Sequence, residues 1–189
     1  VYPDKGRYVV SWTRVGPVTT RPADTPALTV DPVVTSAHVS AVSTLDGQMT
    51  TRVLYELRLA GEQQITFTLP PHSHLHRVYL NKTAVEAGEE DGSVQLTVYP
   101  TRAGETNGTV EIVLRRSLGT YNLSGALTFV SPSVSWPIEE QYVDLHLPDV
   151  FTYHKKGGSL SATEFSPPVE FSYTTPLPGR PLSFHQYLI

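Results

Sequence analysis

Two runs of alternating residues joined by Asp46-Gly47 constrain this chain more than any other feature. From Gln48 to Leu59 one face reads Met49, Thr51, Val53, Tyr55, Leu57, Leu59 and the other Thr50, Arg52, Leu54, Glu56, Arg58. That period of two belongs to a half-buried strand. Upstream, Ala37, Val39, Ala41, Ser43 and Leu45 alternate with His38, Ser40, Val42 and Thr44. An Asp-Gly pair between two such runs supplies the positive φ angles of a tight β-hairpin.

The same grammar continues. Sixteen prolines and thirteen glycines punctuate runs rich in Val, Thr, Tyr, Leu and Ser, a composition of strands and turns rather than of amphipathic helices. Strands are expected at 7–15, 27–30, 34–45, 48–59, 65–69, 75–80, 94–99, 110–116, 126–130, 141–147, 159–165, 169–173 and 182–188. Residues 83–90 are expected to form a loop or a single helical turn. Asn81-Lys82, Asp91-Gly92 and Asn107-Gly108 read as hairpin corners. Turns this close together predict antiparallel pairing, because a parallel pair needs a crossover, usually a helix, and no helix is legible. The expected fold class is an all-β, antiparallel β-sandwich of about twelve strands with little or no helix.

The 189 residues are enough to bury a core without staples, and cysteine is absent, which excludes disulfides and thiolate metal sites. A formal charge of -4 gives no basic footprint for nucleic acid. The only basic pairs are Arg115-Arg116 and Lys155-Lys156. No apolar stretch approaches the roughly 20 residues of a membrane helix. The chain opens at Val1 without a charged leader or apolar signal core, and strand-like residues run to its end, so it reads as one domain, 1–189, excised from a longer chain. A composition shift at 117–125 is the best candidate for an internal boundary within that domain, and prolines cluster after it. Residues beyond Gly125 hold few large aliphatics and are expected to form a second layer on the first sheet rather than a separate domain.

Leu69-Pro70-Pro71-His72-Ser73-His74-Leu75-His76-Arg77-Val78-Tyr79-Leu80-Asn81, followed by Val94-Gln95-Leu96-Thr97-Val98, resembles a pattern of large bacterial cell-envelope and secreted proteins. In that pattern a strand ends in Leu-Pro, a short loop follows, and a strand with an Asn-Gly corner leads to a regular aliphatic repeat. Val134-Ser135-Trp136-Pro137-Ile138 and Val143-Asp144-Leu145-His146-Leu147-Pro148 are similar to its second half. The resemblance spans roughly two thirds of the 189 residues, with Asn81-Lys82 standing where the pattern has Asn-Gly. It implies an uncharacterised, non-catalytic β-sandwich module outside the cytoplasm and brings no site residues with it.

Several residue groups have the types that chemistry needs. His72, His74 and His76 alternate, and imidazoles two apart on a strand face the same side about 6.5 to 7 Å apart, a spacing able to share Zn²⁺ or Cu²⁺. Pro70-Pro71 instead places His72 and His74 in a loop, and no carboxylate stands nearby, so a solvent-facing polar strand entry is the plainer reading. Glu86, Glu89, Glu90 and Asp91 crowd one loop without the spacing of a calcium loop. Glu56 and Glu111 exemplify remote carboxylates that a sandwich can bring together for glycosidic chemistry. No Gly-x-Ser-x-Gly elbow is present, and His154-Lys155-Lys156-Gly157-Gly158-Ser159 lacks the order of a phosphate loop.

Asn81, Asn107 and Asn122 head Asn-x-Ser/Thr sequons at expected loops, where turn chemistry also places Asn and Thr. Ten tyrosines and two tryptophans offer stacking platforms. Trp136, Tyr142, Tyr153 and Tyr173, in the proline-rich half, and Tyr8 and Trp12 near the start are expected to fill the core between sheets. The sequence thus predicts a non-catalytic, extracytoplasmic structural or adhesive module, with no cofactor, contacting other envelope proteins or neighbouring domains of its own chain. A carbohydrate-binding module is the first alternative, and a metal-binding or hydrolytic β-sandwich enzyme domain the second.

Overall fold

The computed structural model describes residues 31–157, 159–164, 166–177 and 181–187. The expected strands at 7–15 and 27–30, with Tyr8 and Trp12, lie outside these residues. Twelve strands form two sheets, and no helix occurs among the described residues. They are β1 (Val33–Ser43), β2 (Gln48–Arg58), β3 (Gln63–Thr68), β4 (Ser73–Leu80), β5 (Thr83–Val85), β6 (Glu89–Glu90), β7 (Ser93–Val98), β8 (Asn107–Ser117), β9 (Ser133–Val134), β10 (Ile138–His146), β11 (Ser161–Ala162) and β12 (Leu182–Tyr187). The large sheet runs β11-β12-β10-β1-β2-β8-β4-β5, and the small one β6-β7-β3-β9. The all-β expectation holds, with one departure in strand direction.

β1 and β10 pair in parallel, Val34 opposite Ile138 through Val42 opposite His146. Sequence reasoning allowed no parallel pair for want of a helical crossover. Here the connection is β2 through β9, including the whole small sheet, so strands do the work of a helix. β9 pairs with β3 at Phe67 and Thr68, which brings the chain across the sandwich, and Trp136 is buried before β10 begins. Residues beyond 125 thus complete the large sheet on one flank.

Alternation builds the core. Val53, Tyr55 and Leu57 of β2, Ala37 and Val39 of β1, and Val110, Ile112 and Leu114 of β8 point inward and meet Ile65, Phe67, Val94 and Val98 of the small sheet, all buried. Tyr55 and Phe67 touch with ring centroids 5.0 Å apart, tilted 39°. Burial pushes the Tyr55 phenol well above its ordinary value.

The turns divide by type. Asn81 and Lys82 (φ 49° and 67°) and Asp91 and Gly92 (φ 49° and 70°) form the expected two-residue corners. At Asp46-Gly47 only Gly47 has positive φ (79°), and the Gly47 amide donates to the Thr44 carbonyl. That is a type I turn closed by a left-handed glycine rather than a pair of left-handed residues. Asn107-Gly108 is no corner: both open β8, opposite Arg58 and Leu57. Gly108 is needed for space, since a Cβ there would lie 3.0 Å from the Tyr99 carbonyl oxygen and 3.2 Å from Leu59 Cδ2.

Other expectations shift. Residues 83–90 hold the short strands β5 and β6 with an irregular stretch at 86–88 between them, 126–130 form no strand, and 159–165 shrink to β11. Residues 169–173 pair with no strand. Tyr142, Tyr153 and Tyr173 are partly buried but lie outside the apolar core, whose rings come from Tyr55, Phe67 and Trp136, with Phe129 and Phe184 packed against it.

Gly47 is the turn most sensitive to substitution, because a Cβ on it would sit 1.9 Å from the Gly119 carbonyl oxygen. Gly47→Ala is expected to lower the unfolding free energy by about 2–4 kcal/mol, from left-handed strain plus displacement of the backbone at Gly119. Gly61→Ala is the control: its φ is 75° with nothing within 4 Å of the new Cβ, so only about 1–2 kcal/mol of strain is expected. Urea unfolding of the two variants measures the difference.

Candidate functional site

The same alternation that sends aliphatics inward sends ionisable groups to the outer face of the large sheet. Register places Ser36, His38 and Ser40 of β1 beside Glu56, Leu54 and Arg52 of β2, and beside Glu140, Tyr142 and Asp144 of β10. Beyond β2 follow Thr109, Glu111 and Val113 of β8, then Tyr79 and Arg77 of β4. On the other flank lie Ser183 and His185 of β12. An outward sheet face is ordinarily solvated, yet His38 is 6%, Arg52 5% and Glu111 1% exposed. Charged side chains are almost never fully buried unless paired, so each of these needs a partner.

Over β2, β8 and β4 the partner is the segment 169–173, a strap held by side chains rather than by a strand. Glu111 accepts the Ser172 amide at 2.5 Å and the Tyr173 amide at 3.0 Å. The Arg52 guanidinium donates to the Tyr173 carbonyl at 3.0 Å and to Ser40 Oγ at 2.8 Å, and lies 4.4 Å from the centre of the Phe171 ring. Burial pulls Arg52 below its ordinary pKa, while Glu111 and Tyr173 oppose that shift. Lys82 pairs with Glu170 at 3.0 Å, and Arg115 donates to the Tyr173 hydroxyl at 3.3 Å. A cavity of about 220 Å³ remains between strap and sheet, lined by Glu56, Tyr79 and Glu111 among others.

Over β1, β10 and β12 the rings of His38, Tyr142 and His185 form a row. His38 and Tyr142 lie 5.0 Å apart and 10° from parallel, and Tyr142 and His185 4.5 Å apart and 21° from parallel. Burial lowers the His38 pKa, opposed by Glu56, Asp144 and Glu140. Asp144 also lines a second, open cavity of about 720 Å³ with Lys155, Glu164 and Ser183.

The residues singled out from sequence scatter. His72 is exposed in a turn with φ 60°, and His74 lies in β4 opposite Arg115, on strand rather than in the expected loop. A bulge falls between Leu75 and Arg77, which makes His76 the extra residue and breaks the two-residue period. His76 meets the Tyr173 ring edge-on at 5.6 Å, and its pKa is lowered by burial, then by Arg115 and Arg77. Cationic neighbours of this kind oppose a metal ion, and among the described residues no group of three or more His, Asp or Glu could hold one. Glu89 Oε2 accepts the Leu75 amide at 2.9 Å, and Glu89 and Glu90 form β6.

Glu56 and Glu111 do reach one face and one cavity, but Glu111 is committed to the strap and Glu56 accepts the Ser36 hydroxyl at 2.7 Å. Of the sequon asparagines, Asn81 uses its side-chain amide to donate to the Tyr99 carbonyl at 3.0 Å and its oxygen to accept the Thr109 amide at 2.9 Å. Asn107 opens β8, and Asn122 is exposed in an irregular segment. Arg52 and the strap were missed from sequence. The one available signal was a charged residue centred in the regular alternation of β2.

No known sequence family matches the chain, and no curated protein matches it. Solved structures do. The M1 zinc metallopeptidase from Deinococcus radiodurans is similar over 84% of this chain and 39% of its own, at 15% identity and a TM-score of 0.46. Yeast LTA4 hydrolase, solved with bestatin, is similar over 62% of this chain and 23% of its own, at 13% identity and a TM-score of 0.40. Legionella pneumophila aminopeptidase A is similar over 62% of this chain and 16% of its own, at 10% identity and a TM-score of 0.38. The chain therefore spans well under half the length of each.

The β-sandwich part of the sequence resemblance holds, while the similar structures are named as peptidases and a hydrolase rather than as envelope modules. The reading as a structural or adhesive envelope module is corrected accordingly, since none of these similar structures is such a module. No helix among the described residues is long and apolar enough to cross a membrane.

The buried outer face makes the fold sensitive to pH. His38 binds its proton less readily folded than unfolded, so its stabilising contribution is full above its ordinary pKa of 6.5 and is lost as pH falls through that value toward the lower folded one. His38→Phe keeps a ring on Tyr142 without a titrating group. Thermal melts from about pH 7.5 to 5.5 are expected to fall less steeply for this variant than for the natural chain, with His76 supplying part of the slope that remains. Parallel slopes would mean that His38 titrates like an exposed histidine.

Proposed function

We propose that this chain is a β-sandwich domain of a larger hydrolytic enzyme, serving as a mount beside chemistry carried elsewhere in the longer protein. The observation that supports it is the outer face of the large sheet. Ionisable groups there are buried and oriented instead of solvated, with His38, Arg52 and Glu111 each less than a tenth exposed. Burying such groups costs several kcal/mol each unless they are well paired. Segment 169–173 and the ring row pair or cover them within the chain, which leaves a rigid, preorganised face on which further structure can seat.

The zinc named for the Deinococcus neighbour finds no fitting donor set among the described residues. No step of a reaction is assigned to this chain's histidines. Peptidase is the class to try first because it is the activity named for neighbours in two bacteria.

The test uses the full natural protein and the same protein lacking residues 1–189. Aminoacyl-coumarin amides are assayed with each, before and after treatment with a zinc chelator. The full protein is expected to release coumarin in a chelator-sensitive way, and the truncated one to lose at least tenfold in kcat/KM while still binding zinc. Absence of any amidase or esterase activity in the full protein, or an unchanged kcat/KM after truncation, would sink the proposal.

A further inference from the structure

We propose that the outer face of β2, β4 and β8 is a receptor for an extended peptide, and that residues 170–173 fill it in cis. The contacts read a peptide backbone before they read its side chains. Glu111 takes two consecutive amides, Ser172 and Tyr173, and Arg52 takes the carbonyl of Tyr173. Strand pairing supplies those partners in an ordinary sheet, and a carboxylate with a guanidinium supplies them here, as charge-assisted bonds.

Side-chain positions follow from the same seat. A ring is favoured over the Arg52 guanidinium, where Phe171 sits 4.4 Å away. An acidic residue one position earlier meets Lys82, as Glu170 does at 3.0 Å. A tyrosine two positions after the ring meets Arg115 at 3.3 Å and the His76 edge at 5.6 Å. The partner chemistry is thus an extended peptide reading acidic, aromatic, small, tyrosine. The receptor is larger than its present occupant, since the cavity of about 220 Å³ opens between the sheet and Pro168–Glu170.

A tethered occupant competes at an effective concentration in the millimolar range, so a peptide in trans enters only when the strap is weakened. This inference does not depend on the hydrolase proposal, and its test involves no catalysis. A fluorescein-labelled peptide of residues 168–174 is titrated with the natural chain, with a Phe171→Ala/Tyr173→Ala variant, and with that variant carrying Glu111→Gln. The double variant keeps the receptor and loses the strap's two anchoring rings.

Fluorescence polarisation is expected to show binding to the double variant at least tenfold tighter than to the natural chain, and loss of that gain with Glu111→Gln. A double variant with native circular dichroism that binds no peptide overturns the proposal, as does equal binding by all three chains. Dimers of the double variant formed without peptide also overturn it, assigning the face to a second copy. Should the variant fail to fold, hydrogen exchange on the natural chain decides. The Ser172 and Tyr173 amides are expected to exchange at least tenfold faster than those of β2 and β8, because the strap must open locally. Equal protection means the slot is never vacated, and the proposal falls.

Discussion

The contact between Tyr55 and Phe67 is the one on which the rest of this structure rests. It joins the centre of the large sheet to the centre of the small one, with both rings essentially excluded from water. Two large rings bury far more apolar area than any aliphatic pair around them. Its geometric consequence reaches further. Phe67 is also where β9 pairs with β3, so the residue that fills the core fixes the strand that carries the chain back across the sandwich. From β9 the chain buries Trp136 and enters β10, and β10 can only lie beside β1 in the direction from which it arrives, which is parallel.

That parallel pairing decides what stands on the outer face. Because β10 runs with β1, Tyr142 falls beside His38 and Asp144 beside Ser40. Side-chain period on a strand is two, so a shift of one residue would turn Tyr142 and Asp144 into the core and Gln141 and Val143 out of it. The burial of Val143 against the core is therefore the force that holds the ring row in register. A polar arrangement on one side of a sheet is being specified by an apolar one on the other.

Much of this was legible in the sequence, and what was not has a physical reason. Alternation in β1 and β2 named both faces of each strand, and Asn81-Lys82 and Asp91-Gly92 announced their corners through left-handed residues. Asn107-Gly108 has the same composition but another cause: its glycine makes room for the Tyr99 carbonyl and the Leu59 side chain, a crowding that exists only once distant segments have met. The parallel strand was invisible for the same reason, since nothing local in residues 138–146 encodes direction. The histidine triplet looked regular because a bulge cannot be read from a period; one extra residue at His76 dissolves the shared face. Expecting Tyr142, Tyr153 and Tyr173 in the core followed from treating aromatics as apolar, whereas the tyrosine hydroxyl lets each serve where one side stays polar: Tyr142 donates to Glu140, Tyr153 to the Pro148 carbonyl, and Tyr173 accepts from Arg115.

The strap shows why an outward-facing charge in a central strand is informative even though its partner cannot be guessed. Arg52 sits in β2 with strands on both sides, so neither end of its side chain can escape along an edge to water. Such a residue is tolerated only if something later in the chain supplies acceptors, and residues 169–173, 117 or more positions away, do so through a carbonyl and a ring. Prolines at 167, 168 and 176 suit that task, because a segment whose amides are to be claimed by Glu111 must not be drawn into a neighbouring ladder first. The proline-rich half of the sequence is thus the element that gives the buried polar face its partners, and the charges of the central strands are tolerated because it does.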